Sequence, residues 1–347
     1  MHQLLSGAGP VDAVTGQAMA IRRRVTAWGW EGQDVAVFRD PRVGDAVGSL
    51  GTLRRRPGDL QLLHYSAYAP RLRRMLDPAH PTLLLSHNVT PARYLWDHEP
   101  GEAIVCALGR RQLADFVAGA RACAGVSAYN AAELAEAGAV DPTVVPLFID
   151  FDTMGPRDGD ADPPGPPTVL CVGRLTPHKR HDEVIRAFAR YRARHAPEAR
   201  LELVGEAVGP RYRAAVGALA DELAPGAVRI AAGLSREELL ARYRAAHVLL
   251  SLSEHEGFCL PLIEAFHHGV PVVARAAAAV PETTGDAALL AGWEDDDSVV
   301  AELVHLAISD ADLRVELRRR GRARLADYAP QRAEQALRIA LERVTSG

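Results

Sequence analysis

Short apolar runs alternate with helical patterns along the whole chain, and the alternation breaks once, across a Pro- and Gly-rich stretch at residues 153–167. Apolar runs too short for a helix, each followed by a segment with helical periodicity, build β-α-β units and hence parallel sheets. The prolines of the break carry no N–H and its glycines bring no side chain to pack, so the stretch reads as a linker. The expected fold class is therefore α/β, with two doubly wound domains. The first spans 1–153 and the second 168–327, joined by a linker at 154–167. A last helix at about 328–347 is expected to pack back on the first domain.

In the first half, strands are expected at 3–6, 35–38, 60–64, 82–86, 123–126 and 144–146, with a long helix from about 11 to 28. Ser127 or Asn130 is expected to cap the next helix, and Asn130-x-x-Glu133 resembles a capping box. The second half restarts with a strand at 168–172. A helix from Asp182 follows, burying Val184, Ile185, Phe188 and Tyr191, with Asp182 and Glu183 at its positive end. Strands are expected at 201–204, 228–230, 248–251 and 270–274. The final helix, 331–344, aligns Leu337, Ala340, Leu341 and Val344 on one stripe.

Charge and cysteine usage narrow the partners. Net charge is −4 and neither half is basic, which argues against nucleic acid. Cys106, Cys123, Cys171 and Cys259 form no C-x-x-C pair and no metal-ligand spacing, so they read as reduced thiols. No basic leader with a long apolar region opens the chain, and no apolar run approaches the length of a membrane span. The expected setting is cytoplasmic. The triplets Arg22-Arg23-Arg24 and Arg54-Arg55-Arg56 read as solvated faces, with contact to the inner face of a membrane as a minority reading.

One lysine, Lys179, stands among 40 Lys and Arg residues. An ammonium is a compact point charge with three rotatable donors, suited to a phosphate oxygen in a tight site. Lys179 follows the strand at 168–172 and the sharp exit that Gly173 permits, so Arg174 and Lys179 are candidates to converge on a diphosphate at a helix mouth. Surface pairs with Asp182 or Glu183 are the plainer alternative. The second candidate site follows the strand at 248–251. Pro261 suits a first helical turn, leaving the N–H groups of Gly257, Phe258, Cys259 and Leu260 free at its mouth. Glu256 and Glu264 flank that loop, and two carboxylates in one cleft can grip vicinal diols. Taken singly, Glu256 reads as a solvated loop acid and Glu264 as a helix-dipole contact.

Two other patterns fail. Gly7-x-Gly9 lacks the third small residue of a dinucleotide fingerprint, since Asp12 stands there. Glu294-Asp295-Asp296-Asp297 precedes a helical pattern and reads as an acidic first turn rather than a metal site.

Gly173-Arg174-Leu175-x-x-x-Lys179, followed by Ser253-x-x-Glu256-Gly257-Phe258-x-Leu260-Pro261-x-x-x-Glu264-Ala265, resembles glycosyltransferase family 4. Leu203-Val204-Gly205-Glu206, Gly233-Leu234-Ser235 and Val280-Pro281-Glu282 fall in the family's order. The resemblance implies the GT-B architecture, two Rossmann-like domains with parallel sheets facing a central cleft. It implies a retaining, metal-independent transferase that needs no cofactor beyond a nucleoside diphosphate sugar as donor. Arg174 and Lys179 would hold the departing diphosphate, Glu256 the donor sugar, and Glu264 the ribose. Gly173, Gly205, Gly257, Phe258, Cys259 and Leu260 would line the sugar or phosphates, and Gly233 and Leu234 would lie near the base. Gly7 and Gly9 would form a glycine loop toward the diphosphate. His87, in Ser86-His87-Asn88, resembles the family's acceptor-side histidine, with His64 a weaker candidate and a structural histidine the alternative. The sequence departs from the family at Leu252, where proline is usual, and at Cys259, where glycine is usual. The acceptor would be a small molecule, a glycan or a lipid-linked hydroxyl. A phosphorylase, a nucleotide-sugar epimerase and a non-catalytic nucleotide-sugar-binding protein are the competing readings.

Overall fold

The computed structural model describes residues 1–10, 12–156 and 162–345, so Val11 at the expected start of the first helix, 157–161 of the expected linker and the last two residues lie outside it. The chain forms two compact α/β units. Unit one comprises Met1–Arg93, Gly101–Ile149 and the chain from Tyr328 onward; unit two comprises Tyr94–Pro100 and Asp150–Asp327.

Unit one is built on seven parallel strands: β1 (His2–Ala8), β2 (Asp34–Arg39), β3 (Gly48–Ser49), β4 (Gln61–Tyr65), β5 (Thr82–Ser86), β6 (Ala122–Gly125) and β7 (Thr143–Val144). Their order in the sheet is β3-β2-β1-β4-β5-β6-β7. The chain winds outward one way from β1 and the other way from β4. The crevice at such a reversal, beyond the carboxyl ends of the strands, is where open α/β sheets hold ligands. Helices α1 (Ala13–Ala27), α2 (Pro70–Arg73), α3 (Pro100–Gly119) and α4 (Ala128–Glu136) connect the strands. The last helix, Pro330–Thr345, buries Leu337, Ala340, Leu341 and Val344 against β5, β6 and β7.

Several expectations need correction here. The N-cap of α4 is Ser127, whose hydroxyl accepts from the Asn130 N–H, so no capping box starts at Asn130. Its side-chain amide turns instead to Glu133. The arginine triplets are only partly solvated. Arg22 is drawn onto Asp34, and Arg55 donates to Gln61 and to the Met75 carbonyl. Burial of a neighbouring carboxylate or carbonyl gives each a partner that water would otherwise supply.

Unit two has six parallel strands, β8 (Thr168–Val172), β9 (Arg200–Val204), β10 (Val228–Ala231), β11 (Val248–Ser251), β12 (Val272–Arg275) and β13 (Leu289–Ala291), in the order β10-β9-β8-β11-β12-β13. The helices are α5 (His181–Arg194), α6 (Pro210–Leu223), α7 (Arg236–Ala245), α8 (Leu260–His267), α9 (Val280–Thr284), α10 (Asp297–Ser309) and α11 (Ala311–Leu325). Val184, Ile185, Phe188 and Tyr191 of α5 sit fully inside the core, as their spacing predicts. The acidic run is a helix start: Asp296 caps α10 by accepting from the Ser298 and Val299 N–H groups.

The boundary between units differs from the expected one. Asp150–Met154 already belongs to unit two, because Met154 is buried there and Phe151 stacks on His267 at 5.9 Å. Asp162, near the other end of the expected linker, pairs with Arg314 and Arg318. Among the described residues no helix is long and apolar enough to cross a membrane.

Candidate functional site

In unit two the winding reverses between β8 and β11, which are neighbours in the sheet. Both sequence motifs leave from the carboxyl ends of these two strands. The β8 exit is pinned by three backbone hydrogen bonds. Gly173 N–H donates to Val204, Leu175 N–H to Glu206, and Lys179 N–H to Thr176. The Glu254 N–H, in the β11 exit, donates to the His178 carbonyl and ties the two loops together.

That tie brings Lys179 to Glu256, 77 residues away. The ammonium lies 2.5 Å from the Glu256 carboxylate, with side-chain exposures of 16% and 9%. Burial pulls the Lys179 pKa down, but the Glu256 charge and hydrogen bond outweigh it and leave it raised, so the ammonium stays charged. Arg174 is exposed and has no ion-pair partner among the described residues. Its charge still reaches Lys179 and His178. The pairing of these two cations with Asp182 or Glu183 does not occur. Arg180 takes those acids instead, and with the buried Arg275 it builds a network through Glu183 and Glu254. The network braces the loops and leaves Lys179 and Arg174 out of it.

Two of the expected glycines are explained by backbone geometry, Gly173 by its φ and Gly205 by close approach. Gly173 has φ +155°, and a Cβ there would stand 3.6 Å from the Lys179 side chain. Gly205 has φ +156°, and a Cβ there would fall 2.0 Å from the Gly173 carbonyl oxygen. Gly205 thus serves the contact between the β8 and β9 exits, and its own N–H is spent on Ala231. Gly233 N–H donates to Glu206, with Leu234 half-buried beside it.

Glu256, Gly257, Phe258 and Cys259 are all buried, so Glu256 is no solvated loop acid. The N–H groups of Gly257, Cys259 and Leu260 have no acceptor among the described residues. Phe258 is anchored by the Thr283 hydroxyl, which donates to its carbonyl at 2.6 Å. Cys259 is the N-cap of α8 at φ 71°, ψ 66°, a left-handed conformation that glycine adopts freely. Burial pushes its thiol pKa well up, with the Glu256 charge adding, so it is a neutral thiol. We expect Cys259→Gly to change stability by no more than about 1 kcal/mol. Relief of about 1–2 kcal/mol of left-handed strain offsets lost burial and added freedom of the unfolded chain. Cys259→Val should destabilise by about 1–3 kcal/mol, because a β-branched residue tolerates this backbone poorly. Urea midpoints compare the two, and equal losses would remove the strain account.

Glu264, one turn into α8, is buried and doubly bound. Arg236 Nη1 donates to Oε1 at 2.6 Å and the Tyr243 hydroxyl to Oε2 at 2.7 Å. Burial, then the Glu264 charge, pushes the Tyr243 phenol well up. Sequence reasoning missed both partners. The signal was present: Arg236 and Tyr243 are seven residues apart on α7 and so share a face. An ionised carboxylate offers about four acceptor positions, so two remain for a ligand's hydroxyls. Cys259 lies within electrostatic reach of Lys179, Glu256 and Tyr243, linking the two ends of the loop.

In unit one, Gly7 is not in a loop. It pairs with Phe38 inside β1, and Ala8 pairs with Arg39. Neither Gly7 nor Gly9 has a positive φ, and Gly9 N–H is taken by the Thr15 hydroxyl at 3.0 Å. The turn is shorter than expected because Asp12 caps α1 at once. His87 is half-buried just past β5, with its Nε2 2.8 Å from His64 Nδ1. Burial holds its pKa down at about 3, so it is a neutral imidazole.

Residues 157–324, just under half the chain, match the family model described as Glycosyl transferases group 1. Among curated proteins the chain is 32% identical over 196 residues to the MMP alpha-(1->4)-mannosyltransferase of Mycolicibacterium hassiacum, covering 54% of this chain and 46% of that one. It is 35% identical over 152 residues to the D-inositol 3-phosphate glycosyltransferase of Mycobacterium sp. (strain KMS), covering 41% of this chain and 34% of that one. In both cases the chain spans less than half of the relative's length. Among solved structures, HepE of Anabaena in complex with UDP and glucose superposes with a TM-score of 0.76 at 15% identity, covering 98% of this chain and 99% of that one. At that identity the likeness establishes the fold, two Rossmann-like parallel-sheet units of the GT-B class.

Proposed function

We propose that this chain is a retaining glycosyltransferase of the family 4 kind, moving a sugar from a nucleoside diphosphate sugar to an acceptor hydroxyl. The observation that carries this reading is the largely buried Lys179 ammonium held against Glu256 where the sheet winding reverses. Beside it stand the unpaired Arg174 and the open N–H groups of Gly257, Cys259 and Leu260. A group that leaves as a diphosphate gathers negative charge as its bond to the anomeric carbon breaks. Cations and N–H donors fixed at that point favour the transition state over the ground state, with no need for a protein nucleophile.

Each residue then has one task. Arg174 forks onto the diphosphate and Lys179 meets it as a point charge. Glu256 accepts from a sugar hydroxyl, and Glu264 from the ribose diol with its two remaining positions. Gly233 and Leu234 border the base. Gly205 is reassigned to packing, since its N–H is taken and its α-carbon faces backbone. The names of the two curated relatives support a hexose donor and a polyhydroxylated acceptor.

A thermal-shift panel of UDP-, GDP-, dTDP- and ADP-sugars tests donor binding. The matching donor at 100 times its Kd should stabilise the protein by about 2.7 kcal/mol. Release of nucleoside diphosphate that depends on an added acceptor separates a transferase from an epimerase or a mere binding protein. If none of the four donors shifts the melting temperature, the proposal fails.

A further inference from the structure

A chain of polar groups runs through the sheet of unit one and ends at His87. Gln3 lies opposite Leu62 on the neighbouring strand, and His64 lies opposite Leu85 on the next. Gln3, His64 and His87 therefore step diagonally by two residues per strand, which keeps them on one face. Gln3 and His64 are fully buried.

The protons along this chain follow from counting donors and acceptors. The Gln3 amide nitrogen donates to the Ala18 carbonyl at 2.8 Å and to Asp34 at 3.0 Å. Asp34 is itself gripped by the Arg22 guanidinium, so it acts as an acceptor. The Gln3 amide cannot be reversed without setting its oxygen against a carbonyl and a carboxylate, so its oxygen faces His64 Nε2 at 2.9 Å. His64 must therefore carry its proton on Nε2. Burial, with the neighbouring His87 ring, holds the His64 pKa well below the usual histidine range, so the ring is neutral and its Nδ1 is a bare lone pair. That lone pair accepts from His87 Nε2 at 2.8 Å, which places the His87 proton on Nε2. His87 Nδ1 is left as a lone pair with no partner among the described residues.

We propose that Gln3 and His64 are positioning residues that hold His87 as its Nε2–H tautomer, so that His87 presents one fixed Nδ1 lone pair to a hydroxyl of the ligand. A lone pair fixed in this way accepts from an alcohol and repels a phosphate or carboxylate oxygen. The ring can then orient a sugar or acceptor hydroxyl but takes no part in binding the diphosphate. Only the identity of the ligand rests on the sugar-transfer reading; the proton arrangement does not.

Two-bond ¹H–¹⁵N spectra of histidine-labelled full-length protein at pH 7 read the arrangement directly. The expected result is an unprotonated Nδ1 and a slowly exchanging Nε2–H at His87. A proton on His87 Nδ1 would overturn the proposal. His64→Phe keeps the ring stack but removes the acceptor. It should lower kcat/KM on the order of tenfold or more and abolish the protected Nε2–H signal. His64→Asn, whose side-chain oxygen can stand where Nδ1 stood, should restore most of both. Wild-type kcat/KM in the folded Phe variant, or an Asn variant no better than Phe, counts equally against it. Should the Phe variant not fold, the wild-type spectrum and the Asn variant still decide. If no donor is turned over at all, the sugar-transfer reading falls, and the spectrum still tests the relay by itself.

Discussion

Lys179→Ala should lower turnover on the order of 10²–10³, the usual cost of removing one donor aimed at developing charge. The structure adds a second effect that has to be separated from the first. Lys179 is the counter-charge of Glu256, and both are largely buried. Removing the ammonium strands a carboxylate, which costs about 3–5 kcal/mol of stability. The double variant Lys179→Ala/Glu256→Gln removes both charges and should recover much of that stability while leaving turnover low. Lys179→Arg should keep the charge balance yet restore turnover only in part, since a planar fork does not reproduce a point charge in so narrow a place. Initial rates at saturating donor, taken well below each variant's melting temperature, make the comparison. Near-normal turnover in the double variant would end the diphosphate role.

Glu264→Gln should weaken donor binding about 10- to 100-fold with a smaller change in kcat. A hydrogen bond to a charged group contributes about 1.5–3 kcal/mol, and the amide loses both the charge and one acceptor edge. The amide also turns a donor toward either Arg236 Nη1 or the Tyr243 hydroxyl, both of which now donate to Glu264. Donor titrations by calorimetry give the Kd directly. An unchanged Kd would mean that Glu264 is only the anchor of α7 and never meets the ribose.

The strand and helix alternation was readable because parallel strands buried on both faces are continuous apolar runs, and 169–172 and 248–250 are such runs. Two of the short edge strands escaped notice. Gly48–Ser49 and Leu289–Ala291 are too brief to carry a pattern of their own and form only by pairing with β2 and β12. The site residues of unit two were readable as two separate motifs. The resemblance set both around one donor, but the direct pairing of Lys179 with Glu256 was not legible, since they meet through the adjacency of β8 and β11, a property of sheet order rather than of local spacing. The packing role of Gly205 was not legible because a glycine that lets two backbones touch looks, in sequence, like one that lets a ligand approach. Gly7 was placed in a loop because a glycine after an apolar run suggests a turn, whereas here the strand simply continues. His64 was undervalued for a related reason: its importance lies in what it accepts and donates, which only strand register discloses.

The last helix belongs to the unit that starts the chain, and this has a bearing on biosynthesis. Unit two, up to Asp327, is synthesised before Pro330 is added. The apolar wall formed by β5, β6 and β7 lacks its cover until that final stretch emerges. Vectorial synthesis therefore leaves the first-made unit waiting for its cover until unit two has been added to the chain.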